Sequence, residues 1–97
     1  MTDVIGPGSL KLVTASSPRR PLRDSLLGVL RERFGENDVR HLFGETFLVH
    51  TDAEPAAVRD SLTGLLREDE SVFVVEFGRW SSHGPAADRA WLLRRGH

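Results

Sequence analysis

The stretch SVFVVEFGRW (71–80) constrains this chain more than any other, because five of the six positions 72–77 are Val or Phe. A run so rich in β-branched and aromatic residues reads as a strand. Period-two alternation places Phe73, Val75 and Phe77 on one face and Val72, Val74 and Glu76 on the other. Both faces are mostly apolar, whereas a strand with one solvated face alternates apolar with polar residues. The run therefore predicts a strand around which the rest packs, covered by helices on one side and by a further element or a second subunit on the other. Val72, Phe73, Val74, Phe77 and Trp80 are the interface candidates that follow from this demand.

Before that run, the chain reads as regular elements between clear breaks. Residues 1–8 carry Gly6-Pro7-Gly8 and predict a loose lead-in, with a single domain over 9–97. SLKLVTA from Ser9 predicts a first strand ending at Ser16-Ser17-Pro18. Pro21 suits the first position of a helix, and Leu22, Leu26, Val29, Leu30 and Phe34 make an apolar stripe that stops at Gly35. VRHLF (39–43) and TFLVHT (46–51), separated by Gly44-Glu45, read as a hairpin or as one long strand bent at the glycine. Pro55 opens a second helix, with Val58, Leu62, Leu65 and Leu66 on its apolar face and an end near Asp69, where Arg67 would complement the helix dipole. After the 72–77 strand, GRWSSHG is a loop and Pro85 starts a third helix through Arg94-Arg95-Gly96. Strand, helix, strand, strand, helix, strand is the βαββαβ order of a ferredoxin-like α+β sandwich, here with an added C-terminal helix. Both main helices then lie on one face of the sheet. The short third helix is too small to cover the other face, so a homodimer packed sheet to sheet or edge to edge is expected.

Thirteen basic and 14 acidic residues leave a net charge of −1, which removes any global pull toward nucleic acid or an anionic membrane. The basic residues are twelve Arg and Lys11 alone, so a local basic patch would favour bidentate contacts with carboxylate or phosphate. Without cysteine there is no disulfide, thiolate nucleophile or thiolate metal site, which fits a cytoplasmic location. No apolar run approaches the roughly 18 residues of a membrane span, and residues 1–10 lack the order of a signal peptide.

The segments HLFGETFLVHT (41–51), AVRDSL (57–62), EDESVFVVEFGRW (68–80) and GPAADRAWLLRR (84–95) resemble the SinR-type small proteins, relatives of the CRISPR-associated endoribonuclease family. The resemblance covers residues 41–95, and residues 9–34 by element order only. It implies a ferredoxin-like fold and a homodimer and, in the CRISPR setting, the bridging of an integrase on duplex DNA. Nuclease members of that family place an Asp at the end of the first strand, which meets its symmetry mate to hold a divalent metal. Here the strand ends Val13-Thr14-Ala15-Ser16-Ser17, with no carboxylate to fix a hard cation and activate water.

Arg19, Arg20 and Arg23 occupy the loop where those nucleases carry their active centre. They read either as an anion or phosphate contact aided by a helix N-terminus, or as solvated arginines paired with Asp24 and other acids. Of the four histidines, His41 and His50 fall in neighbouring strands and could face each other, while His83 is in a loop and His97 at the end; no spacing matches a zinc site. Ser16-Ser17 and Ser81-Ser82 have no activating base beside them in sequence and read as turn residues. Trp91 reads as a core residue of the last helix, and Trp80 as core or interface anchor. Glu76 either pairs with an Arg across a subunit boundary or marks a solvated end. No catalytic residue, metal or cofactor is assigned. The function expected is a non-enzymatic homodimeric interaction or scaffold module, in phage defence or a toxin–antitoxin system, binding itself or a partner protein. The alternative is a nucleic-acid-binding protein or metal-dependent ribonuclease that uses the Arg cluster.

Overall fold

The structure, a computed structural model, describes residues 8–97; the expected lead-in over 1–8 falls outside the described residues except for Gly8. Strands β1 (Ser9–Ser16), β2 (Val39–Phe43), β3 (Thr46–Thr51) and β4 (Ser71–Phe77) form one antiparallel sheet in the order β2-β3-β1-β4. Helices α1 (Arg23–Phe34), α2 (Pro55–Thr63) and α3 (Arg89–Arg94), with a short 3-10 turn at Glu36–Asp38, complete a small α+β domain. None of the described helices is long and apolar enough to cross a membrane.

Helices α1 and α2 cover the inner face of the sheet. Their apolar stripes supply Leu22, Leu26, Leu30, Val58 and Leu62 to a buried cluster completed by Val13, Val39, Phe47 and Val49 of the strands. Leu22 caps α1 rather than lying within it, so the helix starts two residues after Pro21. The Glu45 carboxylate accepts a hydrogen bond from the Leu22 N–H, which ties this helix start to the β2–β3 turn. That turn is a two-residue hairpin and not a bent strand. Gly44 has φ of 50° while, among the described residues, no non-glycine residue has positive φ, the sign pattern of a II′ turn with glycine first.

Gly35 ends α1 at φ 100° and ψ 138° while its N–H bonds the Arg31 carbonyl. A Cβ there would meet Asp38 Oδ2 at an ordinary 3.6 Å, so space is not the obstacle. The backbone angle is, and Gly35→Ala is expected to lower stability by about 1–3 kcal/mol in a denaturant melt.

Four expectations need correction. First, α2 ends at Thr63 and not near Asp69. Past Gly64 the chain tightens into i to i+3 turns, and the Glu70 carboxylate takes the Arg67 N–H at 2.8 Å, which diverts the backbone from the helix and leaves Arg67 outside it. Second, α3 begins at Arg89 rather than Pro85, because Asp88 is the residue whose side chain caps it, accepting from the Trp91 N–H at 3.0 Å. Its C-terminus closes with His97 N–H to Leu92 O and Gly96 N–H to Leu93 O, a Schellman pair with Gly96 at φ 83°.

Third, β4 lies at the edge of the sheet and β1 and β3 hold the middle. Its two apolar faces meet different fates. Val72 and Val74 pack against the inner core, Phe77 lies under the C-terminal segment, and Phe73 and Val75 stay 65% and 37% exposed. Fourth, the outer face is not left wholly to a partner. Trp91 and Leu92 of α3 bury Leu10 and Leu48, with Leu12, Leu42, Phe77 and Trp80 packed around them.

Candidate functional site

The loop leaving β1 is fastened to the segment entering β4. Arg20 places Nε and Nη2 on the two oxygens of Glu70, each at 2.6 Å, and Nη2 also donates to the Leu65 carbonyl at 2.8 Å. Glu70 is buried and accepts two further hydrogen bonds, from Ser17 Oγ and from the Arg67 N–H, both at 2.8 Å. A carboxylate so surrounded by donors is stabilised as the anion despite its burial. Its pKa is accordingly held below the usual range, first by the Arg20 hydrogen bonds and then by the Arg67 amide and Ser17. The Arg20 pKa rises for the reciprocal reason. Arg19 reaches Asp69 at 2.7 Å and Arg23 reaches Asp24 at 3.2 Å, so each of the three loop arginines already holds a carboxylate. Ser17 Oγ accepts from the Arg19 and Arg20 amides at 3.2 Å, a serine turn.

A different surface lies on the outer face at the same end of the sheet. The strand register aligns Phe43, Thr46, Thr14 and Phe73 in one row across all four strands. The Thr14 and Thr46 hydroxyls share a 2.9 Å hydrogen bond at its centre. The two phenylalanines flank them on the edge strands, Phe43 at 59% exposure. The next row runs Arg40, Leu48, Leu12 and Val75, with Arg40 at its β2 end paired to Asp88 at 3.4 Å. Toward the other end the C-terminal segment closes over the sheet, leaving a groove of about 300 Å³ walled by Leu10, Leu12, Leu42, Phe77, Trp80 and Leu92. The α3 cover is secured by Trp91, which is fully buried. Its indole N–H donates to the Asn37 carbonyl at 2.6 Å, and the Arg40 and Arg95 guanidinium groups sit 5.5 and 5.7 Å from its ring. Trp80 donates to the His97 carbonyl at 3.1 Å and belongs to the same cover.

His41 and His50 do not face each other. His41 pairs with Phe47 across the hairpin and bonds the Gly44 carbonyl at 2.8 Å, whereas His50 pairs with Leu10 and meets His97, Nδ1 to Nε2, at 2.9 Å. A bulge between His41 and Phe43 shifts the register and sends the two side chains to opposite faces. Desolvation, with His50 alongside, lowers the His97 pKa. Among the described residues no group of three or more His, Asp or Glu is placed to hold a metal ion.

Glu76 has its partner within the subunit. Lys11, buried on the inner face, reaches Glu76 Oε1 at 3.1 Å and donates to Ser9 Oγ and the Thr51 carbonyl, both at 2.7 Å. The Lys11 and Ser9 contacts keep the Glu76 pKa below the usual carboxylate range. Of the five interface candidates, Phe73 is open, Val72 and Val74 rim the inner core, and Phe77 and Trp80 lie under the C-terminal segment. Val75, Phe43 and Glu70 join these sites although none is a candidate from sequence. An acid directly before a β-rich run, in a chain with three arginines in one loop, was the signal available for Glu70.

The fold class is thus an α+β domain with a four-stranded antiparallel sheet, helices on one face and a partial cover on the other. No family model, curated protein or solved structure matches the chain.

Proposed function

We propose that the chain is a non-enzymatic homodimeric interaction or scaffold module, a ferredoxin-like βαββαβ domain with an added C-terminal helix. In this reading it resembles the CRISPR-associated endoribonuclease-like proteins and works in phage defence or a toxin–antitoxin system. The β2-β3-β1-β4 order, with both main helices packed on one face, supports the fold. The observation that carries the functional reading is the uncovered half of the outer face, where Phe73 and Val75 are exposed on a strand that has only one neighbour among the described residues. An exposed apolar sheet surface of this kind fits a protein partner. On the outer face a phosphate backbone would meet Arg40, already paired with Asp88, and at the β1 loop it would have to displace Asp69, Glu70 and Asp24 from their arginines.

Size exclusion with light scattering at micromolar concentration tests the reading. The expected mass is twice the 10.8 kDa of one chain, unchanged by mixed RNA and duplex DNA at low salt. Phe73→Asp is expected to convert the dimer to a folded monomer, since the substituted side chain is already exposed. A monomeric parent protein overturns the homodimer, and a salt-reversible shift with nucleic acid that is lost in Arg19→Ala and Arg20→Ala would instead support the Arg cluster as a binding site.

A further inference from the structure

We infer that two copies join through their β4 edges, in antiparallel register about a two-fold axis at Val74, extending the sheet from four strands to eight. The inference rests on the homodimer reading above and specifies its geometry.

The two edges of the sheet differ in how they are guarded. Natural edge strands resist pairing through charge, proline, bulges or a covering element. Strand β2 has three of these devices. A bulge interrupts it between His41 and Phe43, Arg40 lies within it, and α3 is tied beside it through Arg40 to Asp88 at 3.4 Å and Arg95 to Asp38 at 2.8 Å. Strand β4 has none along its middle. Its register with β1 runs unbroken from Leu10–Phe77 to Ser16–Ser71, and it contains neither proline nor a basic residue. Its single charge, Glu76, is drawn back to Lys11 of its own subunit. Such an edge offers its backbone donors and acceptors to any strand that fits beside it.

The strand that fits is β4 itself. With Val74 opposite Val74 of the second copy, antiparallel geometry sets Phe73 against Val75, Val72 against Glu76 and Ser71 against Phe77. Two aromatic–β-branched pairs then flank the axis on the outer face, the type of cross-strand pair that stabilises sheets. They shield the two large apolar side chains left exposed on β4. On the inner face the axis residue Val74 and its neighbour Val72 already rim the core, and Glu76 is the third residue on that face. The charges also agree. Each Glu76 meets a valine and the two glutamates lie at opposite ends of the ladder, so no like charges oppose each other. Moving the axis to Val75 sets Glu76 against Val74 and Phe73 against Phe77, bringing the glutamates closer and losing the Phe73–Val75 pairs. Moving it to Phe73 leaves Val75 against Ser71.

The chain has no cysteine, so single-cysteine variants report the register directly. In the proposed dimer the two Cβ atoms at position 74 are about 4.5–5.5 Å apart. Val74→Cys is therefore expected to convert most of the protein to a covalent dimer under mild oxidation or with a short bis-maleimide, read on a non-reducing gel. Phe77→Cys, whose mates lie at opposite ends of the ladder, should stay uncrosslinked under the same conditions. Light scattering on each variant before crosslinking separates the two claims. A dimer whose Val74→Cys chains do not link, or in which Phe77→Cys links as readily, overturns the β4 geometry while leaving the homodimer standing. A monomer in light scattering for parent and variants alike overturns both.

Discussion

Trp91→Ala is expected to destabilise the domain by about 3–5 kcal/mol, which for a chain of this size lowers the melting temperature by roughly 15–30 °C. Three losses combine. The side chain is fully buried among Leu10, Leu48 and Leu92, so truncation opens a cavity in the smaller of the two cores. The Asn37 carbonyl loses the indole N–H and keeps only Arg95 Nη2 at 2.6 Å. Arg40 and Arg95 lose the ring that both guanidinium groups cover. Helix α3 has six residues, far short of the length at which a helix stands alone, so its only reason to form is the surface that Trp91 anchors. Trp91→Phe keeps the ring and loses the indole hydrogen bond, and should cost much less. A thermal or denaturant melt decides. If Trp91→Ala stays within about 1 kcal/mol of the parent, the range of ordinary surface changes, then the C-terminal segment does not hold the outer face closed.

The elements that could be read from the sequence were those specified by nearby residues. The β2 and β3 boundaries, 39–43 and 46–51, follow from alternation on either side of Gly44-Glu45, and Gly35 and Gly96 end their helices as their positions imply. What escaped depends on contacts distant in the chain or on local cues that compete. The apolar run 72–77 announces burial on both faces, but an edge strand beside an open surface has the same composition as a central one, and sheet order is not encoded in a strand's own residues. The bulge in β2 has no signature in VRHLF, and it alone reverses the face of His41 relative to His50. Pro85 and Asp88 both fit a helix start, and Asp88 prevails because its side chain reaches the Trp91 N–H. At the β1 loop the arginines were legible as a group and their partners were not, since Glu70 lies fifty residues from Arg20.

That long-range pair carries the largest effect expected from a polar substitution. The Glu70 pKa is depressed in the folded chain, chiefly by Arg20. The sign follows from linkage: a carboxyl that holds its proton less tightly when folded contributes stability that is complete above the unfolded glutamate pKa of about 4.3. The contribution is lost as pH falls from there toward the folded value. Glu70→Gln removes the charge at nearly constant shape. The melting temperature of this variant should fall well below the parent's at neutral pH and approach it only as pH falls far below the unfolded glutamate pKa, flattening the acid limb of the stability profile. Arg20→Ala leaves Glu70 buried with only Ser17 and the Arg67 amide, so it too should do most harm at neutral pH. The double substitution should cost less than the sum of the two single ones, because each alone strands the other's partner. Arg20→Lys will not rescue, since an ammonium cannot reproduce the two parallel bonds of the guanidinium. Glu70 immediately precedes Ser71, the first residue of β4, so loosening this clasp frees the start of the strand proposed to pair between copies. Glu70→Gln is thus expected to weaken the dimer at neutral pH as well as the fold. Acid limbs that run parallel for Glu70→Gln and the parent would show that the charge on Glu70 does not hold the loop.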